Sequence, residues 1–233
     1  MNRPRVLVNV AMSADGKLDT SARRGTTISS TADKARVDRL RAGVDAVLVG
    51  GRTLLREDPR LTVSSQALRS ERLALGLPEN PAKVGVVSQI SEQELPDQGR
   101  FLSSGPARRF IFTTSRTPVE VVRRLEAAGV TVQLSGELRV DLPAVLASLS
   151  RTGMRSILVE GGGTLLAEFF RQDLVDELTI YIAPRIFGGA SAPTLADGTG
   201  LEEPESPRLV LKSVERYDPD GGILLQYQVI HKE

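Results

Sequence analysis

The sequence predicts an α/β protein with a mostly parallel sheet, helices on both faces of that sheet, and antiparallel strands at the C-terminal end. Three observations support this fold class. Short β-rich runs alternate with helical patterns along most of the chain, which is typical of a largely parallel sheet. Two of those runs, VDAVLVG at 44–50 and SILVE at 156–160, are mostly apolar and indicate buried strands. The last quarter instead holds three strand-like segments, and a turn sequence that favours a tight hairpin, YDPDGG, joins the last two.

The individual elements follow from local patterns. Arg5 to Val10 is predicted as the first strand, and Thr31 to Ala42 as a helix with Thr31 as its N-cap and Gly43 as its stop. Later strands are predicted at 44–50, 83–88, 109–113, 130–134, 156–160, 174–182, 208–216 and 222–230, and later helices at 118–128, at 141–151 and from about 164. Ser64 to Pro81 fits either a surface helix or an inserted lid. Because neither an internal repeat nor a low-complexity linker is found, residues 1–233 are predicted to form a single domain.

Composition excludes several classes of catalyst. The chain has 233 residues, of which 40% are hydrophobic, so a disordered chain is excluded. It has no cysteine and a single histidine, His231, near the C-terminus. A disulfide framework, a thiol nucleophile and a cysteine-ligated metal are therefore excluded, and a serine triad or a metal site is not expected. The chemistry is expected to come from a bound cofactor.

Charge and hydropathy bear on partners and location. Thirty Lys and Arg residues against 29 Asp and Glu residues give a net charge of +1, which argues against a protein that coats nucleic acid. No segment approaches the roughly 20 apolar residues of a membrane span, and a signal-peptide pattern is not seen at the N-terminus. The sequence therefore predicts a cytoplasmic protein with no membrane partner.

The strongest local motif is VEGGGTLLAEFF at 159–170. A strand ends at Glu160, three glycines follow, and a helix begins near Thr164, so backbone N–H groups and the helix dipole can bind an anion there. The spacing fits neither GxGxxG nor the P-loop. The alternative is a tight strand-to-helix turn. Glu160 lies where ligands of open α/β folds bind, so it either contacts substrate or acts as a capping or salt-bridged structural residue.

Two further motifs follow strands. LVGGRTLLREDPRLTV at 48–63 places Gly50, Gly51 and Thr53 after a buried strand, and two glycine-rich strand exits suggest one shared ligand. Taken alone, this segment is a strand, a turn and a short helix stopped by Pro59. In NVAMSADGKLDT, Asp15 is either a proton-handling carboxylate or a turn former, and its own sequence context favours the turn.

Together, three blocks resemble the pyrimidine reductases of riboflavin biosynthesis, which have a dihydrofolate-reductase-like fold. The blocks are VNVAMSADGKLDT, LRAGVDAVLVGGRTLLREDPRLTV and ILVEGGGTLLAEFFRQDLVDELTIYIAPRIFGG, and they span nearly the whole chain. The resemblance implies NADPH-dependent reduction of the ribosyl group of a phosphoribosylaminopyrimidine to ribityl, by hydride delivery to C1′ of the opened imine. The implied substrate is 5-amino-6-(5-phosphoribosylamino)uracil or its 2,5-diamino precursor. The implied assembly is a homodimer.

The resemblance also implies which residues bind. The cofactor contacts would fall on Ala11, Thr53, Glu57, Ser88, Gly161, Gly162, Gly163, Thr164 and Leu165. The substrate contacts would fall on Gly25, Arg41, Leu61 and Glu160, with Arg41 as the partner of the ribose phosphate. Asp15 and Glu160 are the candidate catalytic residues. Ser88 and Arg116 are candidates for contact with the 2′-phosphate of NADPH.

Three departures from the family pattern concern the ligand contacts. The family often has Asp at the position of Glu57 and Ser at that of Gly25, and its bifunctional bacterial members carry Arg at the position of Ser64. The zinc deaminase domain of those members is absent, as the lack of cysteine requires. The sequence therefore leaves open a reductase of the same fold that acts on another small heterocycle or carbonyl. It also leaves open a nucleotide-binding protein without turnover.

Overall fold

The computed structural model describes residues 3–219 and 221–232. Within these ranges there are nine strands and six α-helices. The strands are β1 (Arg5–Ser13), β2 (Ala46–Gly50), β3 (Ala82–Val86), β4 (Arg109–Thr113), β5 (Thr131–Leu134), β6 (Ser156–Val159), β7 (Glu177–Ala183), β8 (Arg208–Arg216) and β9 (Ile223–Ile230). The helices are α1 (Thr31–Ala42), α2 (Gln66–Ala74), α3 (Arg100–Ser103), α4 (Val119–Ala127), α5 (Leu142–Arg151) and α6 (Gly163–Arg171). A π-helical turn covers Thr53–Glu57 and a 3₁₀ turn covers Glu203–Glu205.

The chain divides into two compact units. The first contains residues 3–4 and 38–158, and the second contains residues 5–37 together with the described residues from 159 onward. Each unit has its own buried strands. The single domain predicted from the sequence stays a prediction.

The strands of the first unit follow the order β5-β4-β3-β2-β6. The pairs β2/β3, β3/β4 and β4/β5 are all parallel, and every residue of β2 and β3 is buried. Strands buried on both faces are typically apolar, as β2 is, whereas β3 also contains the buried Lys83. Helix α5 begins as predicted, because the Asp141 side chain accepts a hydrogen bond of 3.0 Å from Ala144 N–H and Pro143 lies in its first turn.

The strands of the second unit follow the order β1-β7-β9-β8. β1 and β7 are parallel, whereas β9 is antiparallel to both β7 and β8. The hairpin between β8 and β9 closes where Tyr217 N–H donates to the Gly222 carbonyl at 2.7 Å, and Gly221 has a φ of 93°. Asp220 of the predicted YDPDGG turn lies outside the described residues. The predicted fold class, with antiparallel strands at the C-terminal end, is confirmed.

Several predicted boundaries differ from the observed ones. β1 runs three residues beyond Val10 because its pairing with β7 continues to Ser13 opposite Ala183. β7 begins three residues later than predicted, at Glu177. The unassigned Ser64 to Pro81 segment contains helix α2, whose N-cap Ser65 accepts a hydrogen bond from Leu68 N–H. The four-residue helix α3 was not predicted.

Candidate functional site

In the first unit, two predicted cofactor residues lie at the carboxyl edge of the parallel strands. Thr53 comes three residues after the end of β2, and Ser88 comes two residues after the end of β3. Gly50 and Val86, the last residues of those strands, are partners in register. Thr114, which follows β4, donates a hydrogen bond of 2.6 Å from its hydroxyl to the Ser88 carbonyl. Ligands of open α/β folds bind at this edge.

The glycine that precedes Thr53 is explained by packing within the protein. A Cβ added to Gly51 would lie 2.9 Å from Val87 Cγ2, so only glycine lets the two strand exits approach this closely. Within the following π-helical turn, Leu54 is fully buried and its side chain fills the space over Gly85. Glu57, the other predicted cofactor residue of this turn, is exposed at its far end.

The predicted substrate residues of the first unit lie around residues 61–64. Arg41 Nη1 donates a hydrogen bond of 3.1 Å to the Thr62 carbonyl. Leu61 is only 1% exposed, so its side chain belongs to the core of this unit. The backbone of Ser64 is held from both sides: its N–H donates to Asp38 at 2.6 Å and its carbonyl accepts from Arg69 at 2.8 Å. A cationic side chain from α2 thus lies beside position 64, and the sequence analysis did not identify it.

In the second unit, the glycine-rich turn after β6 has one open side and one covered side. Gly161 has a φ of 128°, and no heavy atom lies within 4 Å of the place its Cβ would take. Gly162 is the N-cap of α6, and the Gly161–Gly162 peptide bond is cis. A Cβ on Gly163 would collide with the Thr194 carbonyl, so the loop of residues 194–197 covers that side. The open space at Gly161 and the N-terminus of α6 fit an anionic group such as a dinucleotide pyrophosphate.

Asp15 forms a structural connection between two strand ends. Its carboxylate accepts hydrogen bonds from the Ser13 hydroxyl at 2.6 Å, from Phe187 N–H at 3.1 Å and from Gly188 N–H at 2.7 Å. The Ser13 hydrogen bond is the largest of the effects that lower the pKa of Asp15 to about 2. Asp15 is therefore an anion at neutral pH, which fits a hydrogen-bond acceptor better than a proton donor.

Gly25, a predicted substrate contact, lies in a loop organised by Asp19. The Asp19 carboxylate accepts from the N–H groups of Thr20 at 2.7 Å, Gly25 at 2.8 Å and Thr26 at 3.1 Å. Burial raises the pKa of Asp19, but hydrogen bonds from Thr26, Gly25 and Thr20 outweigh burial and lower it. The sequence analysis did not single out Asp19, although an aspartate that precedes a glycine-containing loop is a common turn former.

The remaining predicted residues of this unit lie along the strand edges. Ala11 is opposite Tyr181 in the β1/β7 register and packs against a small buried cluster that contains Tyr181. Glu160 directly follows β6 and is half-buried. Both lie toward the carboxyl ends of their strands.

The single histidine bridges two carboxylates. His231 Nδ1 lies 3.0 Å from an Asp173 oxygen, and Nε2 lies 2.9 Å from an Asp176 oxygen.

Over residues 3–219 and 221–232, no group of three or more His, Asp or Glu side chains is arranged to hold a metal ion. In the same ranges, no helix has the length and apolar character needed to cross a membrane.

Comparison with known sequences relates nearly the whole chain to one family. The family model described as the RibD C-terminal domain matches residues 4–222. A 2,5-diamino-6-ribosylamino-4(3H)-pyrimidinone 5′-phosphate reductase from Archaeoglobus fulgidus is 43% identical over 196 residues, which are 84% of this chain and 87% of that protein. A protein of the same name from Methanothermobacter thermautotrophicus is 36% identical over 228 residues, 97% of this chain and 99% of that protein.

Comparison with solved structures gives the same fold. A pyrimidine reductase-like protein from Corynebacterium diphtheriae superimposes with a TM-score of 0.81 at 20% identity, over 99% of this chain and 94% of that one. Acinetobacter baumannii RibD superimposes with a TM-score of 0.78 at 24% identity, over 99% of this chain and 59% of that longer chain. At these identities the likeness establishes the fold.

Proposed function

This chain belongs to the RibD C-terminal domain family, and we propose that it uses NADPH to reduce 2,5-diamino-6-ribosylamino-4(3H)-pyrimidinone 5′-phosphate to its ribityl counterpart. It is a reductase of riboflavin biosynthesis, like the named relatives that match most or nearly all of its length. We propose the diamino compound rather than the deaminated one as the substrate, because these relatives, two of them above 35% identity, carry the diamino name.

One structural observation carries the cofactor proposal. The turn after β6 leaves open space at Gly161 and leads directly into the N-terminus of α6. Backbone N–H groups and the helix dipole at such a position favour a phosphate. Gly161, Gly162, Gly163, Thr164 and Leu165 would hold the pyrophosphate.

The other proposed cofactor contacts come from strand exits. A bound nicotinamide supplies the hydride, so this chain needs no nucleophile or metal of its own. Thr53 and Ser88 would bind through their hydroxyl groups at the carboxyl edge of the first unit, together with Glu57, and Ala11 would contribute from β1. NADPH is proposed over NADH because Ser88 and Arg116 follow neighbouring strands and offer a hydroxyl and a guanidinium for the 2′-phosphate.

Each substrate contact is proposed from the chemistry of the residue and its place in the fold. Arg41 carries the charge and the donor geometry for the 5′-phosphate. Glu160, half-buried at a strand end, would hydrogen-bond the substrate near the reacting carbon, and Gly25 would line its binding site. Leu61, whose side chain is in the core, would contact the substrate through its backbone. Asp15 is not proposed as the proton donor, because its pKa of about 2 keeps it ionised.

A direct assay tests this function. Purified protein is mixed with NADPH and either the diamino or the deaminated ribosylaminopyrimidine phosphate, and the loss of nicotinamide absorbance is followed. We expect oxidation of NADPH with the diamino compound, a slower rate with the deaminated one, and a slower rate with NADH. Binding of NADPH without oxidation by either pyrimidine would instead favour another substrate or a binding protein without turnover.

The exposed apolar strand β8 supports a proposed homodimer. Val210, Leu211 and Val214 are each about half exposed, and β8 is an edge strand. Exposed apolar strands of this kind are usually covered by a partner. Val214→Glu is expected to shift the mass measured by light scattering from dimer to monomer, whereas a monomeric parent protein would contradict the proposal. A cytoplasmic location is proposed as well, as the sequence predicts.

A further inference from the structure

The short helix α3 is held at its start by Asp58, which comes from a distant part of the chain. The Asp58 carboxylate accepts hydrogen bonds from Arg100 N–H at 2.6 Å and from Phe101 N–H at 2.8 Å. These are two of the N–H groups that a helix start leaves without an intrahelical partner. The segment of residues 99–104 that contains this helix is called the α3 segment below.

The other end of the α3 segment is held by cationic side chains. Lys83 Nζ donates to the carbonyls of Phe101, at 3.0 Å, and Ser104, and Arg109 donates to the Leu102 carbonyl. Lys83 is fully buried, and so is the Phe101 side chain. The α3 segment therefore has charged partners at both ends and a buried centre, which fix its position within the first unit.

The α3 segment is joined to the π-helical turn that contains Thr53 and Glu57. Asp58 directly follows the turn and has a φ of 44°, a left-handed conformation that Asp and Asn tolerate better than most residues. The Arg100 guanidinium donates to the Glu57 carbonyl, so three hydrogen bonds, two from Arg100 and one from Phe101, join the α3 segment to the end of the turn.

The turn is held at both of its ends. Leu54 is its one buried residue, while Glu57 is exposed. Leu54 fixes the start of the turn against Gly85, and the contacts of Asp58 and the Glu57 carbonyl with the α3 segment fix its end. π-Helical turns are rare and occur often at functional sites.

We propose that Asp58 is a positioning residue for the nicotinamide cofactor: by capping the α3 segment it holds the Thr53–Glu57 turn in the orientation that binds the dinucleotide. This inference rests on the proposed function, because it assumes that Thr53 and Glu57 face the cofactor. Asp58 itself does not touch the ligand. It acts through the position of the turn.

The test compares Asp58→Ala and Asp58→Gly with Asp141→Ala. Asp58→Gly removes the carboxylate but keeps the left-handed backbone without strain, so it separates capping from conformation. Asp141→Ala is the matched control, since Asp141 is also an N-cap aspartate of the first unit but serves helix α5. For each variant we measure the dissociation constant for NADPH by calorimetry, the KM values for NADPH and the pyrimidine, kcat, and the melting temperature.

Both Asp58 variants are expected to weaken NADPH binding by about tenfold, the loss expected for one cap interaction, and to raise the NADPH KM to match. The pyrimidine KM and kcat at saturating NADPH should change less than twofold. Asp141→Ala should lower the melting temperature with no change in NADPH affinity. Wild-type affinity in Asp58→Gly, or an equal loss in Asp141→Ala, would overturn the inference. If the parent protein itself neither binds nor oxidises NADPH, the proposed function fails instead.

Discussion

The Asp15 carboxylate accepts a hydrogen bond of 2.7 Å from the backbone N–H of Gly188, across 173 residues of sequence. Asp15 follows β1 and Gly188 follows β7, two parallel strands whose last residues are partners in register. The contact thus holds together two loops at the carboxyl edge of the second unit. It gives this acidic side chain a structural role at the strand ends.

Replacement of Asp15 should affect stability more than chemistry. Because the pKa of Asp15 is lowered to about 2 from 3.8, its contribution to stability is fully present above pH 3.8 and is lost as the pH falls toward 2. Asp15→Asn should therefore lower the melting temperature at pH 7 and reduce the loss of stability expected for the parent protein below pH 4. Thermal unfolding at both pH values checks this. A large loss of kcat with an unchanged melting temperature would return Asp15 to a catalytic role.

Glu160→Gln should reduce turnover more than cofactor affinity. The change keeps the size of the side chain at the end of β6 but removes its negative charge, so a hydrogen bond to the reacting part of the substrate is weakened. We expect kcat to fall by about tenfold to a hundredfold, with less than a twofold change in the dissociation constant for NADPH. Glu177→Gln, which changes the half-buried partner of the exposed Arg5, serves as the control. The reverse pattern, weak NADPH binding with normal kcat, would assign Glu160 to the cofactor.

Gly162→Val tests the phosphate-binding turn. Gly162 has φ −56° and ψ 157°, a region of φ/ψ space that is open to residues with a side chain. A valine side chain at the start of α6 would collide with a pyrophosphate bound there, so NADPH affinity should fall by at least tenfold. Gly163→Ala should behave differently, because its Cβ meets the Thr194 carbonyl and the protein itself is destabilised. Unchanged NADPH affinity in Gly162→Val would exclude this turn as the pyrophosphate site.

Local patterns were sufficient for most elements of the fold. Strands β4 and β8 have the predicted boundaries, and helix α1 covers the predicted residues. The predicted N-cap of α1, Thr31, was wrong by one residue: Thr31 is the first helical residue, and the Ser30 hydroxyl accepts the capping hydrogen bond from Asp33 N–H at 3.1 Å. The first strand was predicted too short, because its last three residues are extended by pairing with β7 rather than by their own composition. Helix α3 was missed for a related reason: its four residues have no periodicity, and its cap is supplied by Asp58.

Sequence patterns were also insufficient for single residues of the candidate site. The sequence indicated that the glycines after β2 and β6 are important, but only the structure shows why each of these positions is a glycine. Gly51 and Gly163 are glycines because Val87 and the Thr194 carbonyl approach them, whereas Gly161 faces open space. Such reasons depend on tertiary contacts and cannot be obtained from spacing along the chain.

Lys83 should make stability rise with pH in the alkaline range. Burial, with a smaller contribution from Arg109 and opposed by Asp58, lowers the pKa of Lys83 from 10.5 to about 8. Between these values the unfolded chain binds more protons than the folded one, so the free energy of unfolding increases as the pH rises, by roughly 3 kcal/mol in total. Denaturant unfolding of the parent protein, Lys83→Met and Lys83→Gln from pH 7 to pH 10 measures this, and Lys83→Gln keeps a donor for the Phe101 carbonyl. The difference between parent and variants should grow with pH, since other titrating groups cancel. Parallel curves would show that the charged form of Lys83 is not disfavoured by burial.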